Sequence, residues 1–342
     1  MGRLVVRAPL AWLGPGRVIT DAQVECEGGV IAAFGTRQPA PDTDDVIEAD
    51  GFLLPAGADR HVHVGLSDPV AIVRRGVTAV RDLAWPAERI FPLADASEAP
   101  GFSGPLIRAA GPMLTAPGGY PTEEGWAPPG TGVELDDVAS AVAAVRDLAA
   151  RNAVAIKVSL NAEAGPVPGD AVLGAICDAA TERDLPVTAH AQGRGQVERA
   201  LGAGVRELAH TPWSERLDGS TLAAAAARMR WVSTLDIHGF GRDTPELRCA
   251  LDNLVRFRRA GGDIVYGTDL GNGPIPPGVH VTELQWLRQA GLTTEQVLEA
   301  FVRAPIEVGA PADLLVVGES PLGDVAALGD VRLVVRAGDV VR

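Results

Sequence analysis

Six side chains able to bind a divalent cation or move a proton stand far apart in this 342-residue sequence: His61, His63, Lys157, His190, His210 and Asp269. His61 and His63 flank a single valine in ADRHVHV. Residues two apart on a strand face the same side, so both imidazoles would share one face. Imidazole and carboxylate are what a divalent ion such as zinc takes as ligands. An HxH pair alone is a weak signal. Four of the six histidines and one aspartate, standing at the ends of four apolar runs, make a strong one.

Lys157, inside AIKVSL, is the only lysine in the chain; the other 29 basic residues are arginine. An ammonium among metal cations is badly placed, and like charge and burial both depress its pKa. The neutral amine can add carbon dioxide and become a carbamate, a carboxylate-like anion on a long stem whose two oxygens can bridge two ions. Arginine stays protonated and cannot do this. The competing reading is a lysine that merely snorkels from a strand end.

Positioning these groups requires a repeating scaffold. Apolar runs stand at FLLPAGADRHVHV, GVTAVRDLA, GPLIRAAG, AVAIKVSL, LPVTAHAQ, GVRELAHTP, MRWVSTLDIHG and GGDIVYGTDLG. Between most of them lie stretches of helical period such as ELDDVASAVAAVRDLAARN and PELRCALDNLVRFRRAGG. Eight strand–helix alternations over residues 55–310 predict an α/β fold, a (β/α)8 TIM-type barrel, which needs about 250 residues and keeps its chemistry at the strand C-termini. A doubly wound sheet is the rival, but no GxGxxG opens the first unit. Residues 1–54 and 311–342 read as short β-branched strands with Gly and Pro turns, which predicts a small β-sandwich domain built from both chain ends.

Composition narrows the class. A formal net charge of −14 disfavours nucleic acid and polybasic membrane attachment. Cys26, Cys177 and Cys249 are widely spaced and form no CxxC pair, which points to a reducing compartment. The first residues carry no sustained apolar core followed by a small-residue cleavage site, and no run reaches the roughly 20 apolar residues of a membrane helix. The expectation is a cytoplasmic protein acting on a small molecule, with homo-oligomerisation left open.

The segments LLPAGADRHVH, GPLIRAAGPMLTAPGG, AIKVSL, LPVTAHAQGRGQVERALGAGVRELAH, YGTDLG and PADLLVV resemble the amidohydrolase superfamily in its binuclear, carboxylated-lysine form. Within it the chain is most similar to the imidazolonepropionase-like and Xaa-Pro-dipeptidase-like branch. The resemblance implies His61, His63 and Asp269 on one metal ion, His190 and His210 on the other, and carboxylated Lys157 between them. It implies two divalent ions, zinc foremost, and carbon dioxide as the modifier of Lys157. The implied reaction is hydrolysis of a C–N bond in an amide, lactam or N-acyl amino acid. A metal-bridging hydroxide would attack, with Asp269 as general base and then general acid. A mononuclear deaminase, or an ester, lactone or phosphotriester hydrolase, would use the histidines and Asp269 without Lys157. A non-catalytic scaffold should have lost ligands.

Three departures from the family pattern bear on substrate: Tyr120 follows Gly118-Gly119 where a histidine is usual, Ala209 precedes His210 where glutamate is usual, and the RAPIEVGA segment is short. Tyr120, Trp126, Arg194 and His238 are the candidates for substrate contact, with Trp85 and Trp213 as further parts of an aromatic wall. Arg194 would pair with a substrate carboxylate. His280, Asp59 and Asp82 are expected to support the structure rather than react.

Overall fold

All eight central runs form parallel strands in the computed structural model, which describes residues 3–41 and 44–342. Three of them, Gly57–Val62, Val77–Asp82 and Leu106–Ala109, make one sheet. The other five are Ile156–Asn161, Val187–Gln192, Glu207–Leu208, Arg230–Val232 and Asp263–Val265. They form a seven-stranded parallel sheet with two short strands, Met113–Thr115 and Gly132–Glu134, added at its edge. Their near-continuous apolar content is what parallel strands buried on both faces require.

Neither sheet closes on itself. Backbone hydrogen bonds nevertheless join them. On one side Asp269 N donates to His61 O at 2.8 Å and His63 N to Leu270 O at 2.7 Å; on the other, Val154 N donates to Ala109 O at 2.9 Å. The first of these seams therefore runs beside the HxH pair.

Helices fill the connections. Val138–Ala150 starts with a capping box in which Asp137 and Ser140 satisfy each other's backbone N–H. Pro245–Arg259 is capped by Thr244 and buries Leu247, Ala250, Leu254 and Phe257, one apolar stripe at helical spacing. Phe257 stacks on Trp231 with centroids 3.7 Å apart and planes 4° from parallel. Both rings are fully buried, so Phe257→Ala should cost about 3–5 kcal/mol through lost transfer energy and the cavity left behind. Among the described residues no helix is long and apolar enough to cross a membrane.

The chain ends meet in one sheet. Strands Leu4–Gly14, Arg17–Glu27, Val30–Thr36, Asp45–Glu48 and Phe52–Pro55 join Leu314–Val317, Val331–Arg336 and Asp339–Val340. All eight are linked by hydrogen bonds in one continuous sheet. Leu4–Gly14 pairs along its length with Arg17–Glu27 and, on its other side, with Asp45–Glu48 and then Phe52–Pro55, so a single long strand ties both halves together. Phe52–Pro55 pairs antiparallel with Leu314–Val317, and the alternation of side chains sends the two strands' residues to opposite faces. Phe52, Leu54, Leu315 and Val317 face the central core, whereas Leu53, Leu314 and Val316 join the separate apolar cluster of the terminal sheet.

Candidate metal centre

His61 and His63 are held by their strand and by what lies behind it. His61 Nδ1 is 2.9 Å from Ala209 O and His63 Nδ1 is 3.2 Å from Ala84 O. A carbonyl only accepts, so each Nδ1 carries the proton and each Nε2 keeps a lone pair. Those two Nε2 atoms lie 3.1 and 3.2 Å from Asp269 Oδ1. In the neutral rings neither Nε2 can donate, which leaves that oxygen buried without a hydrogen-bond donor. Three lone-pair atoms thus converge within 4.8 Å of one another. Such an arrangement repels itself unless a cation occupies it.

The aspartate is placed by an unusual backbone. Asp269 has φ 59°, in the left-handed region that few non-glycine residues adopt and that clusters at functional sites. Its Oδ2 accepts from Asn272 Nδ2 at 2.9 Å, which turns Oδ1 toward the histidines. Gly267, two residues before it, must be glycine: a Cβ there would meet Val232 Cγ1 at 2.3 Å. Burial opposes ionisation of Asp269, but the imidazoles of His61, His63 and His210 around it outweigh burial and hold its carboxyl well below the usual range.

A second pair stands beside the first. His190 Nδ1 and His210 Nε2 are 3.1 Å apart, and the rings of His61 and His210 are 4.6 Å apart. His190 Nε2 faces Gln192 Oε1 at 3.1 Å, whose amide nitrogen donates to Glu163 at 2.8 Å. His210 Nδ1 faces Thr234 Oγ1 at 3.0 Å. Each outer nitrogen is thereby occupied, and the inner two share one proton or take a cation. Burial keeps His190 down at about 4, and burial, with His61 and His190 nearby, holds His210 well below its ordinary value.

Lys157 lies in the same cavity, fully buried, with no partner for Nζ. Burial pushes its ammonium down to about 7, so a neutral amine is accessible at physiological pH. An orphaned buried amine costs stability and calls for a reason. Carboxylation would supply one, and the donor set around it fits two divalent ions.

The two neighbouring carboxylates are structural. Asp59 Oδ1 accepts from the backbone of His61 and of Thr268, each at 3.0 Å, and Asp82 Oδ2 accepts from Val64 N at 2.8 Å. Both brace the HxH strand. His280 Nε2 pairs with Asp236 Oδ2 at 2.7 Å, and Glu283 accepts from the backbone of Leu235 and Asp236 at 2.9 and 2.8 Å. That network holds the turn carrying Ile237 and His238.

Of the expected contact residues, Tyr120, Trp126 and His238 line the cavity, together with Trp213. Arg194 does not. It is exposed, because Gly193 and Gly195 at φ 98° and 78° turn the chain away after Gln192. Trp85 is not part of the wall either: it packs in the core over Gly65, where a Cβ would overlap its ring at 2.0 Å. Asn161, Gln192, Thr234 and Asn272 went unread in the sequence, since isolated polar residues in loops and strands carry no periodic signal.

Solved structures share this architecture. A Xaa-Pro dipeptidase with methionine bound in its active site aligns with TM-score 0.83 at 20% identity over 99% of both chains. An amidohydrolase aligns at 0.80 and 22% identity over 99% of this chain and 98% of its own. Ochratoxinase from A. niger aligns at 0.82 and 19% identity, over 99% and 96%. The chain shares the fold of these solved structures. No family model and no curated protein matches the sequence. His61, His63, Lys157, His190, His210 and Asp269 together line one cavity of this fold.

Proposed function

We propose that the chain is a metal-dependent hydrolase that cleaves a C–N bond in an amide or lactam. The observation that carries this reading is the convergence of His61 Nε2, His63 Nε2 and orphaned Asp269 Oδ1 in the cavity that also holds the unpartnered Lys157 amine. His61, His63 and Asp269 would hold one divalent ion, zinc foremost, and His190 and His210 the other, with Lys157 between them as a carbamate. When bound, the ions lower the pKa of a water molecule and polarise the substrate carbonyl.

The chain's own residues do the rest. Asp269, ionised at neutral pH, takes a proton from the attacking water and gives it to the departing nitrogen. The water oxygen joins the acyl carbon, the C–N bond breaks, and a carboxylate and an amine leave. Trp126, Tyr120, Trp213 and His238 orient the substrate. On this reading residues 55–310 are one (β/α)8 barrel flanked by a domain of residues 1–54 and 311–342. The partner is a small molecule, and the setting is cytoplasmic, in keeping with three unpaired cysteines.

Metal analysis of freshly purified protein tests the reading, with two equivalents per chain expected. One equivalent would favour a mononuclear deaminase or esterase. The metal-loaded enzyme should hydrolyse simple amides in preference to phosphotriesters and aminopurines, and Asp269→Asn should lower kcat by roughly 10²–10⁴, the usual range for a lost acid/base. Near-native kcat in that variant would assign the proton to another group.

A further inference from the structure

The cavity over the cluster has a volume of about 370 Å³, near the lower end for small-molecule pockets. Two aromatic walls bound it. Trp126 sits 4.9 Å from the His63 ring and 6.2 Å from Tyr120. Trp213 covers His190 and His210 at 5.7 and 5.5 Å and packs on His238 at 4.5 Å. The remaining polar lining is neutral or acidic: Asn161, Gln192, Asn272 and Glu124. Among the described residues the cavity is lined by no arginine and by no lysine except Lys157. Arg194, which follows His190 closely in sequence, is exposed and does not line the cavity.

A carboxylate lying away from the histidine cluster would therefore enter an aromatic-walled space with no arginine or lysine to pair it and with Glu124 in its lining. Burying an unpaired anion costs far more than apolar contact returns. We infer that this site takes a compact neutral amide or lactam with an apolar or aromatic group, and selects against N-acyl amino acids and other carboxylate-bearing amides. The inference deepens the hydrolase reading and rests on it for the bond that is cut.

N-acetyl-2-phenylethylamine and N-acetyl-phenylalanine differ by one carboxylate and form the test pair. Their kcat/KM values are measured with enzyme holding two ions, and their Kd values by tryptophan fluorescence, with and without metal. The neutral compound should be favoured about 100-fold in kcat/KM and should bind more tightly in both metal states, the discrimination being set by an unpaired charge. Equal or better use of the acid would overturn the inference, and so would failure of the neutral compound to bind. Tighter binding of the neutral compound without turnover of either would sink the hydrolase reading and leave the selectivity standing. Glu124→Arg places a cation in the lining and should narrow the gap by about tenfold. An unchanged gap would show that charge is not its cause.

Discussion

Thr234 Oγ1 lies 3.0 Å from His210 Nδ1, and Thr234 reaches it from φ 38°, a conformation that a β-branched residue rarely adopts. The hydroxyl fixes the ring so that Nε2 faces His190. Outer partners of metal-binding imidazoles set tautomer and basicity, and their loss typically costs 10–100-fold in affinity.

Thr234→Val keeps the branched shape and removes only the hydroxyl. One of the two ions should bind about 10–100-fold more weakly while the other is retained, which competition with a chelator resolves. Equal loss of both ions, or of neither, would contradict separate sites.

Lys157→Met replaces an orphaned amine with an apolar chain of similar length. The metal-free protein should gain about 1–3 kcal/mol, the cost of an unsatisfied buried polar group, while metal content and activity collapse. Urea unfolding of the stripped proteins and elemental analysis check the two halves. Full metal content in Lys157→Arg would refute the carbamate.

Glu283 gives a pH dependence. Burial pushes its carboxyl up to about 7, against the opposing pull of the Leu235 and Asp236 N–H groups. The folded chain then holds a proton that the unfolded chain releases above its ordinary value of about 4.3. Stability should fall as pH rises from there to about 7, by at most roughly 1.4 kcal/mol per pH unit, and level off beyond. Glu283→Gln cannot titrate, so its stability relative to the parent should improve across that window. A constant difference in unfolding midpoint would mean that Glu283 ionises normally.

Deleting residues 313–342 removes the strand paired with Phe52–Pro55 and strips Leu315 and Val317 from the central core. An exposed apolar edge is a template for aggregation. The truncated chain should precipitate in expression trials; a soluble, active product would show that the two ends are independent.

The site was legible because its residue types are scarce. Six histidines and one lysine in a chain rich in arginine leave few ways to build a polar cavity, and strand ends in parallel α/β folds point into one mouth. The supports were not legible. Ala84 and Ala209 act through backbone carbonyls, which no side-chain pattern reveals, and Asp269 and Thr234 depend on positive φ values at non-glycine positions. Arg194 shows the complementary limit: sequence proximity to His190 says nothing once two left-handed glycines redirect the chain. The terminal region was legible as β-rich but its strand order was not, because alternation specifies faces and not which strand pairs along its full length.

The pairing of Phe52–Pro55 with Leu314–Val317 also has a temporal meaning. A ribosome delivers the first strand early and its partner only after the whole central region has emerged. Until then the N-terminal strands wait with one edge open, and loop closure across that much chain is slow. Folding of the terminal sheet is therefore a late event, after the central strands and helices have had time to assemble. The nascent chain is most exposed to wrong pairing in that interval, which is when chaperone holding would raise its yield.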